Sequence, residues 1–321
     1  IRDLVRSRGL GDVYKRQYTF SDGEKYVGHW YQDQQHGMGT YYFMNNNRYE
    51  GMWYTDFQEG EGKMIYYNGD IYEGSWHRDK RSGKGVYIWK GGARYEGEWA
   101  NDLKNGKGVM VWEDGSKYDG EWKNGERQGK GTFYYTNGDK YVGEWNSDVQ
   151  QGKGIYYFQN GERYEGDYVD GERTGEGVYI YPNGDKYIGQ FKNGFQDGKG
   201  KFIWANGAEY EGDWRKNVRT GQGRYKWGNG DEYEGGWKNN MSEGEGVLRM
   251  KDGSVYTGSF VRGKEDGKGT IVNKDGVRFE GFFKQGKKDG PFVETDADGK
   301  VIRQGTYRLS LIHISEPTRP Y

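Results

Sequence analysis

Apolar and polar residues alternate in short runs along most of this chain, and glycine interrupts every run. Tyr95, Gly97 and Trp99 alternate with Glu96 and Glu98, and Gly106, Gly108, Met110 and Trp112 alternate with Lys107, Val109 and Val111. This two-residue period predicts β-strands with chemically distinct faces. Helices are excluded, because no apolar stripe recurs at 3.6 residues and each glycine inside a helix costs about 1 kcal/mol relative to alanine. Asn-Gly and Asp-Gly steps separate the runs, as at Asn68-Gly69, Asp114-Gly115, Asn137-Gly138 and Asn183-Gly184. Glycine accepts the positive φ of tight turns, so the runs are predicted to fold as hairpins.

The pattern Tyr-x-Gly-x-aromatic starts at Tyr26, Tyr49, Tyr72, Tyr95, Tyr118, Tyr141, Tyr164, Tyr187, Tyr210, Tyr233, Tyr256 and Phe279, without a slip in its 23-residue period. A fixed period of this length marks an architecture whose repeats bury their apolar face only by stacking. With the Tyr as position 0, the spacing predicts a first strand at 0 to 4, a six-residue loop at 5 to 10, a second strand at 11 to 17 and a turn at 18 to 20. Positions 0, 2, 4, 11, 13, 15 and 17 then share one face. Across strands Trp at 4 lies beside Gly at 11, Gly at 2 beside Gly at 13, and Tyr at 0 beside the aromatic at 15. On the other face position 3 meets position 12, pairing Glu98 with Lys107, Glu121 with Lys130 and Glu144 with Lys153. The expected fold is all-β: a single-layer, twisted, elongated antiparallel sheet of stacked hairpins, with strands roughly 4.8 Å apart.

Composition sharpens this picture. Hydrophobic residues make up only 32% of the 321, and Leu103 and Leu248 are the only leucines between Tyr26 and Gly299, so no thick aliphatic core is available. Aromatic residues at 17% and a net charge of -1 argue against disorder. The same near-neutral balance gives no field to draw nucleic acid, and no run is apolar for the eighteen residues a spanning helix needs. Cysteine is absent, which excludes disulfides and thiolate metal sites and favours a reducing, intracellular compartment.

Segments such as Tyr118-Asp119-Gly120-Glu121-Trp122-Lys123-Asn124-Gly125 with Gly129-Lys130-Gly131, and Tyr141-Val142-Gly143-Glu144-Trp145, resemble the MORN repeat (membrane occupation and recognition nexus). The resemblance covers residues 18–305, with Tyr168, Phe191, Phe260 and Phe283 standing in for Trp and a degenerate cap after Gly299. It implies a scaffold that binds proteins in ciliary, cytoskeletal or cortical assemblies, or one that binds phospholipid, or the targeting module of a lipid kinase or lysine methyltransferase. The family has no catalytic residues to carry over. Residues 1–17 and 306–321 lack the repeat and look like translated sequencing adaptor, so the natural protein is expected to continue past either end.

No chemistry-bearing motif competes with this reading. His29, His36, His77 and His313 form no metal-ligand spacing, and the Gly-Lys-Gly steps lack the Ser/Thr of a phosphate loop. Neither a catalytic set, a metal nor a cofactor is expected. The candidate partner groove is the aromatic face, with Trp76, Trp99, Trp122, Trp145, Tyr95, Tyr118 and Tyr141 as its walls and the glycine column as its floor, a shape suited to a peptide, a helix or an acyl chain. The rows Lys84, Lys107, Lys130, Lys153 and Lys199 give anionic phospholipid as the second candidate partner. Position 8 nearly alternates between apolar and charged residues, so Phe57, Leu103, Val149, Phe195 and Met241 form a candidate apolar edge for a partner or a second copy. Replacing Phe57, Leu103, Phe195 and Met241 with Ser should leave folding intact and weaken association in sedimentation experiments; an unchanged association state would end this reading.

Overall fold

The structure, a computed structural model, describes residues 13–313. The adaptor-like stretches 1–12 and 314–321 lie outside the described residues. Two compact units divide the chain, Ile1–Gln159 and Asn160–Tyr321. Among the described residues every regular element is a strand. The first unit holds thirteen, from Tyr14–Thr19 to Val149–Tyr157, and the second fourteen, from Arg163–Val169 to Leu311–His313. Within each unit every strand pairs antiparallel with its neighbour in sequence, so each is one open antiparallel sheet built of hairpins. The short segment 14–17 belongs to the first strand, which pairs with Lys25–Tyr31.

Each repeat spends its strands differently from the sequence expectation. The first strand runs from position -1 to 5 and the second from 8 to 16, as in Arg94–Ala100 and Leu103–Val111. The expected six-residue loop is a two-residue turn at positions 6 and 7. Both turn residues have positive φ, for example Asn101 at 49° and Asp102 at 70°, which defines the hairpin turn whose twist matches that of the strands it joins. The missing loop residues sit inside the second strand as a bulge. Trp99 pairs with Lys104 and Gly97 with Gly108, so one residue, Glu98, faces three. Because the bulge adds an even number of residues, positions 4, 9, 13 and 15 stay on one face.

Register within a repeat therefore differs from that between repeats. Trp at 4 pairs with Gly at 11 of the preceding repeat, as Trp122 does with Gly106, and not with the Gly of its own repeat. Position 3 likewise pairs backwards: Glu98 lies opposite Lys84, Glu121 opposite Lys107 and Glu144 opposite Lys130. This corrects the expected pairing of Glu98 with Lys107. The Glu98 carboxylate instead accepts the Lys107 backbone N–H at 3.2 Å, and Asp167 accepts that of Glu176 at 3.0 Å, so the side chain at 3 satisfies a donor the bulge would strand.

The core is a stack of rings on glycine. Tyr118 pairs in register with Phe133 and Met110, and its ring lies across Gly120 and Gly131 of adjacent strands. A β-carbon on Gly120 would lie 2.5 Å from both the Tyr118 hydroxyl oxygen and the Cα of Gly131, so no side chain fits. The hydroxyl donates to the Glu121 carbonyl at 3.1 Å. Trp122 and Trp145 roof the Tyr edge-on, with ring centroids at 5.2 and 5.4 Å. Trp122 Nε1 donates to the Gly108 carbonyl at 3.1 Å. The same arrangement recurs at Tyr95 and at Tyr210, and eleven tyrosines from Tyr26 to Tyr256 are at most 1% exposed.

Two variants should differ in cost. Gly120→Ala should lower stability by about 1–3 kcal/mol, the usual cost of forcing atoms into a packed site. Tyr118→Phe should cost about 1 kcal/mol, one hydrogen bond. Urea unfolding midpoints of the two proteins measure the order, and a Gly120→Ala protein as stable as the parent would refute the close approach.

Candidate functional site

The aromatic face of the first unit carries a groove of about 880 Å³. Its floor is made by Trp30, Trp53 and Trp76 at position 4 with Tyr41 and Met64 at position 15. Phe43 and Tyr66 at position 17 form one wall, and Gln35 and Gln58 at position 9 the other, rimmed by Asp33, Asp56, Asp79 and Asp102 at position 7. The sheet geometry produces this layout. Rings at 4, 15 and 17 share a face, and the turn at 6 and 7 lifts the acidic residue to the edge of that face.

Each turn is held by the repeat before it. The Asp79 backbone N–H donates to the Gln58 carbonyl at 3.2 Å, and one oxygen of the Asp79 carboxylate accepts the Gln58 N–H at 2.8 Å. Asp56 does the same with Gln35, at 3.2 and 2.7 Å. Asp and Asn suit this place because they tolerate positive φ and bring an acceptor.

Position 9 decides what fills the groove. Arg81 lays its guanidinium 4.4 Å from the Trp99 ring centroid, with Nε 3.1 Å from an Asp102 carboxylate oxygen and a terminal nitrogen donating to the Asp102 carbonyl at 2.9 Å. Arg127 repeats this on Trp145 and Asp148, at 4.4, 2.9 and 2.8 Å. Arg16 covers Trp30 at 4.1 Å and reaches Asp33 at 3.8 Å. Lys104 sits 4.0 Å from the Trp122 centroid, and burial pulls its ammonium pKa down. Between the filled places lie Gln35 and Gln58. Both residues are buried, both line the groove, and neither amide makes a side-chain hydrogen bond among the described residues. Gln150 and Gln196, by contrast, donate to the hydroxyls of Tyr135 and Tyr181 at 3.0 and 3.1 Å.

The second unit has a smaller counterpart of about 490 Å³, lined by Arg173, Arg219, Gln196, Trp204 and Trp214. Arg219 lies over Trp237 at 4.8 Å and donates to the Asn240 carbonyl at 3.0 Å. Here the chain's own cations occupy the wall.

Farther along the first unit, carboxylates at position 21 tie neighbouring repeats together. Asp70 accepts from the Tyr87 hydroxyl at 2.8 Å, the Lys90 N–H at 2.9 Å and the Asn68 amide at 2.9 Å. Burial pushes the Asp70 carboxyl pKa up, but the Lys90, Tyr87 and Asn68 donors outweigh it and hold the pKa below the usual carboxylate range. Asp139 repeats the arrangement with Tyr156 and Gln159, both at 2.8 Å.

The predicted site residues separate into three groups. Trp76, Trp99, Trp122 and Trp145 line the aromatic face but are at least 94% buried, roofing the layer beneath. Tyr95, Tyr118 and Tyr141 are 0% exposed, so they are no wall. The expected glycine floor is covered by those same rings, which moves the open trough sideways to positions 9, 15 and 17. The edge residues Phe57, Leu103 and Val149 in the first unit, and Phe195 and Met241 in the second, are exposed. They open the second strand rather than a loop, each paired with position 5 on the face opposite the tryptophans, as Leu103 is with Ala100. Sequence reading missed Gln35, Gln58, Asp56, Asp79, Phe43 and Tyr66. Their signal was the series at position 9, hidden once that position was assigned to a loop. His29 and His77 meet the Met38 carbonyl and Glu59, at 3.0 and 2.9 Å, and no metal-holding group of His, Cys, Asp or Glu exists among the described residues.

Comparison with known proteins identifies the repeat. The family model described as MORN repeat matches twelve consecutive segments, from residues 26–48 to residues 279–301. No curated protein matches. Among solved structures, the chain is similar to the Drosophila melanogaster SAS-4 (dCPAP) TCP domain in complex with a proline-rich motif of Ana2, at 14% identity over 60% of this chain and 99% of that one, with a TM-score of 0.32. The Danio rerio CPAP TCP10 domain aligns at 13% identity over 69% and 99%, with a TM-score of 0.25. A streptogramin B lyase aligns at 13% identity over 84% and 95%, with a TM-score of 0.15.

Asp70 provides a pH test. A carboxyl whose folded pKa is depressed adds stability above its unfolded pKa, and that stability is lost as pH falls through the folded value. Asp70→Asn should therefore lower the thermal midpoint at pH 7, with the difference from the parent shrinking below about pH 4 and vanishing in stronger acid. A gap that stays constant with pH would exclude the ionised carboxylate as the stabilising form.

Proposed function

Because this chain belongs to the MORN-repeat family, we propose that it is a non-catalytic scaffold that docks protein partners on its aromatic face, within a cytoskeletal, ciliary or cortical assembly. The groove over Trp30, Trp53 and Trp76 supports the reading best, since it joins apolar floor area to the Gln35 and Gln58 amides, which make no side-chain hydrogen bond among the described residues. Peptide groups of a partner satisfy such amides, whereas an acyl chain leaves them stranded at a cost of roughly 1–3 kcal/mol each.

The opposite face supports membrane binding less well. Its lysines stand across from acids, Lys84 from Glu98 and Lys107 from Glu121, and a trough there mixes Lys84, Arg94 and Lys107 with Glu61, Glu73 and Glu96. Paired charges offer little net attraction to anionic lipid. No helix among the described residues is long and apolar enough to cross a membrane.

A photo-crosslinking amino acid placed at position 66, on the aromatic face, should capture protein partners in cells, and the same group at 142 on the other face should not. Cosedimentation with phosphatidylserine vesicles, together with no adduct from position 66, would overturn the scaffold reading in favour of the membrane.

A further inference from the structure

We propose that the first-unit groove takes an extended partner segment carrying arginine or lysine at every third residue, whose cations pair with Asp56 and Asp79. The inference rests on the aromatic-face reading above and names the partner's chemistry.

The chain supplies its own template. Where Arg occupies position 9 and an Asp the following position 7, the guanidinium lies on the next Trp and pairs with that carboxylate, as Arg81 does with Trp99 and Asp102, and Arg127 with Trp145 and Asp148. Arg16 reaches the equivalent place on Trp30 and Asp33 from its own strand. Two consecutive places lack the cation. At Trp53 and Asp56 position 9 is Gln35, and at Trp76 and Asp79 it is Gln58. Asp56 and Asp79 are exposed, line the groove, and bind no cation among the described residues. Each spends one oxygen on a backbone N–H, at 2.7 and 2.8 Å, and keeps the other for a ligand. The groove thus carries negative charge along one rim, aromatic rings along the floor, and two neutral amides where Arg81, Lys104 and Arg127 of the next three repeats bring the chain's own cation. An arginine from outside completes what the sequence leaves unfilled, with charge-assisted hydrogen bonds to the carboxylates.

Spacing fixes the partner's conformation. The two places are one repeat apart, which is two strands, or about 9.5 Å across the sheet. An extended segment advances about 3.1–3.3 Å per residue, so residues i and i+3 span the same distance. A segment lying across the strands brings successive third residues to Asp56 and Asp79, while its peptide groups pass Gln35 and Gln58.

The probe is a fluorescein-labelled twelve-residue peptide with Arg at every third position, separated by Pro-Ala, titrated into the full chain by polarisation. Citrulline in place of Arg keeps the shape and removes the charge, and should weaken binding at least tenfold. The pair Asp56→Asn and Asp79→Asn should do the same. Gln35→Arg with Gln58→Arg should abolish binding while keeping the parent's circular dichroism, because each new Arg fills the place as Arg81 does. Citrulline binding within twofold of Arg, or undiminished binding to the Gln35→Arg/Gln58→Arg protein, would overturn the proposal, as would failure of the Arg peptide to bind. If the citrulline peptide binds equally and Tyr66→Lys blocks it, the basic partner is wrong and the aromatic-face reading stands. If crosslinks form only from position 142, that reading falls as well. Cosedimentation of the full chain with phosphatidylserine vesicles, lost in a Tyr66→Glu protein, would assign the groove to a membrane surface instead.

Discussion

One tyrosine ring lying across two glycines of adjacent strands is the contact on which everything else rests. A one-layer sheet has no opposing layer to bury its face, so each repeat must supply its own cover. A flat ring provides it only where the backbone beneath carries no side chain, and the Gly120–Gly131 pair under Tyr118 meets that condition. The roof of two edge-on tryptophans, one from the same repeat and one from the next, then links neighbours. The last repeat shows what happens when the condition fails. Phe292 takes the place of the second glycine opposite Gly281, and Phe279 stacks on it, with ring centroids 5.5 Å apart and planes within 22°. Gly281 keeps the close approach, but the ring can no longer reach across both strands.

The second consequence is that no repeat closes its own hydrogen bonds. The turn at 6 and 7 is anchored to position 9 of the repeat before it, and position 10 of the bulge reaches the following turn, as Glu59 accepts the Arg78 N–H at 3.0 Å and Asp266 that of Gln285 at 3.0 Å. The extra bulge residues therefore serve as connectors between repeats. Stability in such an array is mostly a property of nearest-neighbour interfaces.

Sequence pattern made the strands, the shared aromatic face and the period legible because each follows from side-chain alternation and one obligatory residue type. The turn was harder to read. Gln32-Asp33, Thr55-Asp56 and Arg78-Asp79 adopt the positive φ usually left to glycine, at 46 to 66°, and glycine advertises it at Asn124-Gly125, Asp170-Gly171, Asn193-Gly194, Arg262-Gly263 and Gln285-Gly286. Gly at 11 misled for a related reason. It continues the alternation on paper, yet Gly106 has φ of 79° and turns the chain through the bulge. The faces were still assigned correctly because the bulge adds an even number of residues, which leaves parity unchanged. The groove was hidden for the same reason as the turn: with position 9 assigned to a loop, Gln35 and Gln58 could not be placed beside Trp53 and Trp76.

The positions that make the sheet are distinct from those that vary along it. Positions 0, 2, 4 and 13 meet ring and backbone at van der Waals distance, and a changed residue there is felt as strain. Positions 9, 15 and 17 meet only the upper surface of that layer, so Gln, Arg, Lys, Ser and Glu all occur at 9 in one chain, and Tyr, Phe, Met, Leu and Ile at 15. The fold tolerates this variety because the tyrosine layer beneath is already closed. The upper surface can therefore differ from one repeat to the next without disturbing the sheet, and a glutamine at position 9 leaves open the space over the next tryptophan that an arginine such as Arg81 covers.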